Sequence, residues 1–350
     1  MTHLPEILAP AGDKQSFLAA VAAGADAVYL GLKHFSARMQ ADNFSISDLS
    51  AMAGLARSKG VKLYVALNSL LKPGDLSAAG RLMDRLKRSV SPDALIVQDL
   101  ACIELARQVG FEGELHLSTL ANVSHPAALA LLPGLGVSRV VMPRELSVDE
   151  LKVMQEHCPP GLSLEVFVHG ALCFCVSGRC WWSSYMGGKS GLRGRCVQPC
   201  RRKYRQKSWD NRFFSCQDLS LDVLTKPLLD MGKITAWKIE GRKKGPHYVF
   251  YTTTAYKLLR DSPRDPAMKK HAQELLELAL GRSATNYSFL PQNPKSPVAD
   301  KKNPTPQTSS GRLAGKVGVT PDKGLYVKPR FPLLAGDLLR VGVEDEPWHD

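Results

Sequence analysis

The first 260 residues repeat one pattern, in which a short apolar run rich in β-branched residues is followed by a stretch with apolar residues at helical spacing. The short runs show little alternation of apolar and polar positions, which is typical of parallel strands buried on both faces. They predict eight strands, at residues 6–9, 27–30, 62–67, 94–97, 114–118, 139–142, 164–168 and 236–239.

The stretches between these runs predict helices, and a further helix follows the last strand. The predicted helices span residues 14–23, 47–58, 76–89, 100–108, 126–132, 148–157, 219–231 and 248–260. Strand and helix thus alternate eight times over about 250 residues, which predicts an α/β fold of the (β/α)8 TIM-like barrel type. A doubly wound open sheet is the rival fold, but no Gly-x-Gly-x-x-Gly motif follows the first strand.

Polar side chains follow several predicted strands at the point where each strand ends. Active sites of (β/α)8 barrels are built there, so these residues are candidates for function. Taken alone, each has a plainer role, since a residue such as Asn68 can simply cap the next helix. Glu165 and His169 should point to the same side of one strand and orient each other, whereas Glu240 can bind substrate or form an ion pair in the barrel mouth. The predicted catalytic residues are Glu165, His169, Glu240 and Arg242, and the predicted substrate-binding residues are Asn68, Ser118, Asn122 and Arg144.

One connection is far longer than the others. About fifty residues separate the strand that ends at Val168 from the next predicted helix, so the insertion at residues 169–218 is expected to be functional. No export is expected from the sequence, and in a reducing compartment clustered thiols bind metal or do chemistry more often than they form disulfides. Six of the eight cysteines lie in the insertion, namely Cys173, Cys175, Cys180, Cys196, Cys200 and Cys216.

The cysteine spacing leaves three interpretations open. Structural zinc sites usually use pairs of ligands two to four residues apart, and only Cys196 and Cys200 approach that pattern. Wide, uneven spacing with all-thiolate ligation suits a [4Fe–4S] cluster better. Unligated thiols are the third possibility, and Cys175, only two residues from Cys173, is the best candidate for a packing residue.

The insertion also holds much of the positive charge. The chain has 46 Lys and Arg residues against 33 Asp and Glu residues, a net charge of +13. From Arg179 to Arg212, ten basic residues accompany one acidic residue, Asp210, and five aromatic residues are interleaved. Such a mixture fits single-stranded nucleic acid or a splayed-out base. The plainer alternative is a solvated basic loop that offsets the negative charge of a cluster.

The remaining sequence features set the domain boundaries and the compartment. Hydrophobic residues make up 44% of the chain and charged residues 23%, which excludes a disordered chain. No apolar stretch reaches 18 residues, so no membrane association is predicted and a cytoplasmic location is expected. The predicted units are a barrel at 1–285, a linker rich in Pro, Ser, Asn and Lys at 286–312, and a small, possibly incomplete β-module at 313–350.

Several blocks of this sequence together resemble the collagenase-like U32 peptidase family. They are residues 8–12 (LAPAG), 24–31 (GADAVYLG), 169–173 (HGALC), 177–180 (SGRC), 193–201 (RGRCVQPCR) and 238–242 (KIEGR). The resemblance covers roughly residues 5–262. No His-Glu-x-x-His, Gly-x-Ser-x-Gly or P-loop motif accompanies these blocks.

The resemblance implies an activity that the family name does not suggest. Better-understood members are oxygen-independent hydroxylation proteins that act on a cytidine of ribosomal RNA, the wobble uridine of transfer RNAs, or a ubiquinone precursor. The resemblance to these members implies an iron–sulfur cluster as cofactor and prephenate as the source of the hydroxyl group. By this resemblance Cys173, Cys180 and Cys196 are cluster ligands, and Cys200 is favoured over Cys216 as the fourth.

Within the family, the basic insertion is most similar to the RNA-modifying members, so RNA pyrimidine hydroxylation is the leading expectation. A metal-dependent collagenase-like peptidase is one alternative. A subunit that hydroxylates a quinone precursor is another, although a basic insertion suits an apolar substrate poorly. RNA is the expected partner, together with an accessory protein that delivers the cluster or supplies electrons.

Overall fold

The computed structural model describes residues 4–39, 41–207, 209–279, 284–286, 289–290, 315–320 and 324–333. The strands are β1 Glu6–Pro10, β2 Ala27–Gly31, β3 Lys62–Leu67, β4 Ala94–Val97, β5 Glu114–Leu117, β6 Arg139–Val141, β7 Ser163–Ala171, β8 Tyr204–Gln206, β9 Trp209–Asn211, β10 Asp218–Ser220, β11 Ile234–Ile239, β12 Ala284–Thr285, β13 Gly315–Thr320 and β14 Gly324–Pro329.

Eight of these strands close into a barrel. β1 to β7 pair in chain order and run parallel. β11 pairs in parallel with both β7 and β1, which joins the two edges of the sheet. Every residue of β1, β2 and β4 is buried, as expected for strands covered on both faces. The prediction of a (β/α)8 barrel is therefore confirmed.

The helices surround the barrel and mostly agree with the sequence pattern. They are α1 Lys14–Ala22, α2 Ile46–Ser58, α3 Leu76–Ser89, α4 Leu100–Gln108, α5 Pro126–Leu129, α6 Val148–Glu156, α7 Trp182–Gly187, α8 Thr225–Leu229, α9 Pro246–Asp261 and α10 Pro266–Leu278. The predicted helix at 219–231 is wrong in its first half, because Asp218–Ser220 forms β10 and pairs antiparallel with the end of β7. Leu219 and Leu221 are buried two residues apart, which is the period of a strand.

Alternate residues of the barrel strands face two different environments. Outward-facing residues such as Val28 and Leu30 pack with the helices in one large apolar core. The inward-facing residues of β1 to β4 form a small, separate apolar cluster, which consists of Leu8, Ala27, Tyr29, Tyr64, Ala66, Ala94 and Ile96. The interior of this barrel also holds buried charged residues, and these define the candidate site.

The C-terminal region is described only in part. β13 and β14 form an antiparallel hairpin from Gly315 to Pro329. Nearly all of the predicted linker at 286–312 and the rest of the predicted β-module at 313–350 lie outside the described residues. Within the described part of the chain, no helix combines the length and apolarity needed to cross a bilayer.

Candidate active site at the barrel mouth

A cavity lies inside the barrel at the carboxyl ends of the strands, where the fold places active sites. Five of the eight predicted catalytic and substrate-binding residues line it: Asn68, Ser118, Arg144, Glu240 and Arg242. Its wall also contains the aromatic rings of Tyr29 and Phe167, together with Arg38 and Lys238.

Among the described residues, Glu240 is the only carboxylate in the wall of this cavity. Its two carboxylate oxygens pair with Arg38 at 3.3 Å and with Arg144 at 2.9 Å. Burial alone would raise the pKa of Glu240, but the charges of Arg38, Arg144 and Arg242 lower that pKa to about 2. Glu240 is therefore ionised at neutral pH, and it aligns two guanidinium groups toward the cavity.

Arg242 supplies a third guanidinium group. Its Nη1 donates to Ser36 Oγ at 2.7 Å, and its guanidinium carbon lies 5.9 Å from the centroid of the Tyr29 ring. This position depends on Gly31, because a Cβ there would overlap the guanidinium of Arg242. We call Arg38, Arg144, Glu240 and Arg242 the mouth layer; it contains three cations and one anion.

Asn68 and Ser118 supply neutral hydrogen-bonding groups to the same cavity. Asn68 Oδ1 accepts from the Ala37 amide at 3.0 Å, and Asn68 Nδ2 donates to Ser118 Oγ at 3.5 Å. Ser118 Oγ also accepts from the Leu120 amide at 3.3 Å, so it caps a short turn as well as facing the cavity. Asn122 does not line the cavity; it closes this turn in the left-handed conformation, with φ of 55°.

Glu165 lies deeper in the barrel than predicted and does not line the cavity. Its carboxylate accepts from Lys238 Nζ at 2.6 Å and lies 3.6 Å from Arg139 Nη1. Arg139 in turn donates to Glu6 at 2.7 Å. We call Glu6, Arg139, Glu165 and Lys238 the floor layer; its two anions balance its two cations, and only Lys238 also reaches the cavity.

The predicted contact between Glu165 and His169 is wrong. The register between β7 and β11 shifts between Lys238 and Ile239, so a bulge turns the end of β7. His169 Nδ1 therefore faces outward, 3.3 Å from both Ser220 Oγ and Tyr256 OH. Burial lowers the pKa of His169 to about 4, so the imidazole is neutral at pH 7.

The insertion folds over the mouth and is fixed to several strand-end loops. Ser177 donates to Glu145, after β6, through its amide at 2.7 Å and its hydroxyl at 2.9 Å. Arg193 pairs with Asp75, after β3, at 2.7 Å. Gly194 packs so closely on the loop after β2 that a Cβ would overlap a backbone carbonyl there. The insertion is thus held directly above the cavity.

The six thiols of the insertion lie near one another, and none forms a disulfide. The pKa of Cys175 is raised to about 12 by burial, by a hydrogen bond with Cys180, and by the neighbouring Cys173 and Cys200. Burial likewise raises the pKa of Cys200, with Cys173, Cys196 and Cys216 adding to the effect and Arg201 opposing it. Among the described residues, no three His, Cys, Asp or Glu side chains converge closely enough for a single metal ion.

The thiols and the cavity meet at one residue. Arg38 lines the cavity and also a second, adjoining pocket that contains Cys196, Gln198 and Lys243. Cys196 is close enough to raise the pKa of Arg38, although the effect of Glu240 is the largest. A group bound by the thiols would therefore sit beside the mouth layer.

The ten basic residues counted in the insertion divide into two groups. Arg193 binds Asp75, while Arg201 and Arg212 donate to backbone carbonyls of Leu172 and Arg201, respectively. The other seven are exposed, and within the described residues none of them forms an ion pair with a carboxylate: Arg179, Lys189, Arg195, Arg202, Lys203, Arg205 and Lys207. The excess charge is therefore accessible to a polyanion.

Sequence reasoning missed two residues of this site. Arg38 lies between β2 and α2, in a stretch without periodicity, and only the closed fold brings it to Glu240. Lys238 lies inside an otherwise apolar strand, whereas the predicted site residues of this strand are those that follow its end. A lysine in a run that is otherwise buried was a usable signal, because such a charge needs a buried partner.

The chain is similar to proteins with two kinds of names. It is 35% identical over 271 residues to a collagenase of Porphyromonas gingivalis, which covers 72% of this chain and 64% of that protein. It is 34% identical over 301 residues to a 23S rRNA 5-hydroxycytidine synthase of Escherichia coli, covering 84% and 44%, respectively. It is also 32% identical over 308 residues to tRNA hydroxylation protein P1 of Bacillus subtilis, covering 83% and 72%.

The chain thus spans less than two thirds of the collagenase and less than half of the rRNA synthase. The family model matches over most of its length, at residues 12–299. This match includes seven of the eight barrel strands, all but β1, together with the mouth layer and the whole insertion. The chain belongs to peptidase family U32.

Proposed function

We propose that this protein hydroxylates a pyrimidine of RNA without molecular oxygen, either a ribosomal RNA cytidine or a transfer RNA wobble uridine. The names of two relatives support this reaction class. The observation that carries the proposal is the position of the thiols, which adjoin a cationic cavity through Arg38. A redox group held by these thiols would lie beside the binding pocket, and that arrangement would suit a hydroxylation better than a hydrolysis.

The thiols provide a suitable donor set for a [4Fe–4S] cluster, which needs four thiolates. We assign Cys173, Cys180, Cys196 and Cys200 as its ligands, with Cys216 as the competitor of Cys200. When bound, the cluster supplies one-electron transfer beside the mouth layer. The exposed basic residues of the insertion would offset its negative charge, and Arg201 already lowers the pKa of Cys200 against the effect of burial.

The mouth layer suits an anionic co-substrate, which we propose to be prephenate. Three guanidinium groups face one carboxylate, so a dicarboxylate would find unmatched cations there. Guanidinium groups bind carboxylates with paired, charge-assisted hydrogen bonds. Asn68 and Ser118 can donate to and accept from the edge of a flipped base, and the rings of Tyr29 and Phe167 limit access of water.

Two measurements test the proposal. Protein purified without oxygen is expected to contain iron and sulfide at about four of each per chain, the stoichiometry of a [4Fe–4S] cluster. Nucleoside mass spectrometry is expected to show one hydroxylated pyrimidine that disappears from RNA when the gene is deleted. Unchanged nucleoside spectra in the deletion strain would overturn the RNA activity.

The fourth ligand is tested with paired cysteine variants. Cys200→Ala is expected to lose the bound iron, whereas Cys216→Ala should keep it. Cys175→Ala is the matched control, because it removes a thiol of the same group that is not assigned as a ligand. Iron loss in Cys216→Ala with retention in Cys200→Ala would reverse the assignment.

A metal-assisted peptidase is the second candidate, favoured by the similarity to a collagenase. His169 and Ser220 approach to 3.3 Å, but both lie behind the barrel wall against Tyr256 rather than at the cavity. Gelatin cleavage that is present in the purified protein and absent in Cys173→Ala would support this activity. We expect no cleavage.

A further inference from the structure

The short helix α7 of the insertion has one face turned toward the protein. Trp182 packs with Tyr204 and Phe214, with ring centroids at 6.0 Å and 5.1 Å. Ser183 is 1% exposed, and its hydroxyl lies 3.5 Å from Cys196 Sγ. These contacts fix the helix against the thiols.

The opposite face presents two aromatic side chains to solvent. Trp181 is 63% exposed and Tyr185 is 89% exposed, although neighbouring Trp182 is packed. The Tyr185 amide donates to the Trp181 carbonyl at 3.1 Å, so the two residues are one turn apart and lie on the same side. Large aromatic side chains exposed side by side indicate a binding surface.

The positive charge around these rings indicates what kind of partner would bind them. Arg179 precedes the helix and Lys189 follows it; both are exposed, and neither is among the described ion pairs. An apolar protein partner would leave these cations without partners, whereas a polyanion would satisfy them. Aromatic rings bind bases only when the bases are unpaired, so the combination favours a single strand over a duplex.

We propose that Trp181 and Tyr185 each stack on an unpaired base of an RNA strand whose phosphates are bound by Arg179 and Lys189. Arg179 and Trp181 flank Cys180 in the sequence, and the two rings lie across α7 from Cys196. On this surface of the insertion, the protein would hold the nucleotides that flank the modified nucleotide. The inference rests on the proposed function only in taking the single strand to be RNA.

The first test is binding of a fluorescently labelled single-stranded RNA of about twelve nucleotides to the full chain. Trp181→Ala and Tyr185→Ala are each expected to weaken binding about tenfold, and Trp181→Phe to retain most of it, because a ring remains. Phe250→Ala is the matched control, since Phe250 is an exposed aromatic residue on α9 outside the insertion. We expect this control to bind like the unaltered protein.

The second test separates stacking from charge. The Arg179→Ala, Lys189→Ala double variant is expected to reduce the slope of log K against log salt by about 1.4, which corresponds to two phosphate contacts on a single strand. Trp181→Ala should leave the slope unchanged. Equal binding of the same sequence as a duplex would overturn the proposal, as would vesicles of phosphatidylglycerol that bind equally and depend on the same two rings.

These outcomes are distinguishable from failure of the proposed function. If deleting the gene leaves the hydroxylated pyrimidine content of RNA unchanged while Trp181→Ala loses RNA binding, the surface proposal stands and the hydroxylase proposal falls. If RNA is hydroxylated by this protein but both ring variants bind RNA normally, the surface proposal falls alone. Unchanged thermal unfolding of the variants serves as the control for folding.

Discussion

The floor layer and the mouth layer of the barrel use the same kinds of side chain and differ in charge balance. In the floor layer, Glu6 pairs with Arg139 and Glu165 pairs with Lys238, and the half-exposed Lys62 adds a second cation to Glu6 at the rim. In the mouth layer, a single carboxylate is shared by two guanidinium groups and a third lies nearby. The four buried side chains of the floor layer are balanced in charge, whereas the mouth layer has more cations than carboxylates.

The charge balance of a layer distinguishes a structural role from a binding role better than the type of residue does. In a balanced set of buried charges, each charge pairs with another of the set, and these pairs connect the strands. An unbalanced set next to a cavity needs an external ion to complete it, which is how a binding site is recognised. Glu165 and Glu240 were both predicted to be catalytic, but they lie in different layers and we expect different consequences from altering them.

The largest effect is expected from breaking the floor layer. Glu165→Gln leaves Lys238 buried without an anionic partner, and we expect the free energy of unfolding to fall by about 3–5 kcal/mol. Urea denaturation measures this loss. The double variant Glu165→Met, Lys238→Met should recover most of it, because both charges are removed together. An unchanged midpoint in Glu165→Gln would contradict the assignment of Glu165 to a structural layer.

Acid titration is expected to lower the stability partly through His169. The folded pKa of His169 is about 4, whereas its ordinary value is 6.5. Between these values the unfolded chain binds a proton that the folded chain does not, so stability falls as the pH falls, by up to about 3 kcal/mol. Asp218 and Asp222 reduce the shift and Lys244 adds to it.

The measurement is unfolding free energy from pH 7 to pH 4, compared with His169→Gln. The variant should lack the part of the slope that His169 carries, while His116, whose pKa is also lowered by burial, keeps its own part. Glu240 has a folded pKa of about 2 and an ordinary value of 4.5, so it adds to the loss of stability only near the acid end of this range, where the unfolded chain begins to bind its proton. A slope that is the same in both proteins would show that other groups carry it.

Altering the mouth layer should affect binding rather than stability. Arg144→Ala is expected to weaken binding of prephenate about tenfold to a hundredfold, the effect of losing a charge-assisted hydrogen bond. Titration calorimetry measures this without requiring activity. The free energy of unfolding should change little, since Glu240 keeps Arg38. If Arg144→Ala unfolds as readily as Glu165→Gln, the distinction between the layers fails.

The smallest effect is expected at the rim of the floor. Lys62 pairs with Glu6 at 2.5 Å, but its side chain is 47% exposed. Glu6 also accepts from Arg139 and from the Tyr64 hydroxyl. Lys62→Met should therefore cost less than about 1 kcal/mol in urea denaturation. A loss as large as that of Glu165→Gln would mean that the rim is part of the buried network.

The barrel could be predicted because its strands are short runs of mostly apolar residues, the pattern expected for strands buried on both faces. The cavity residues at the strand ends followed from the fold, as Asn68 and Arg144 show. The side that His169 faces could not be predicted. A period of two places it with Glu165, but the bulge in β7 reverses it, and Gly170, with φ of 107°, allows that turn.

The excess of cations in the mouth was also beyond prediction. Arg38 and Glu240 are 202 residues apart, and no local pattern connects them. The sequence placed much of the positive charge in the insertion, yet four further cationic side chains line the cavity below it. Contacts of this kind depend on how the barrel closes, which the spacing of apolar residues does not specify.

The docking of the insertion has a consequence for the order of assembly. Arg193 and Asp75 are 118 residues apart, and Ser177 reaches back to Glu145 on another strand loop. Contacts between distant parts of a chain form late in folding, because a long loop must close first. The position of the thiols above the mouth therefore depends on contacts with a closed barrel. A cofactor held by these thiols would in turn favour the docked insertion, because a ligand stabilises the form that binds it.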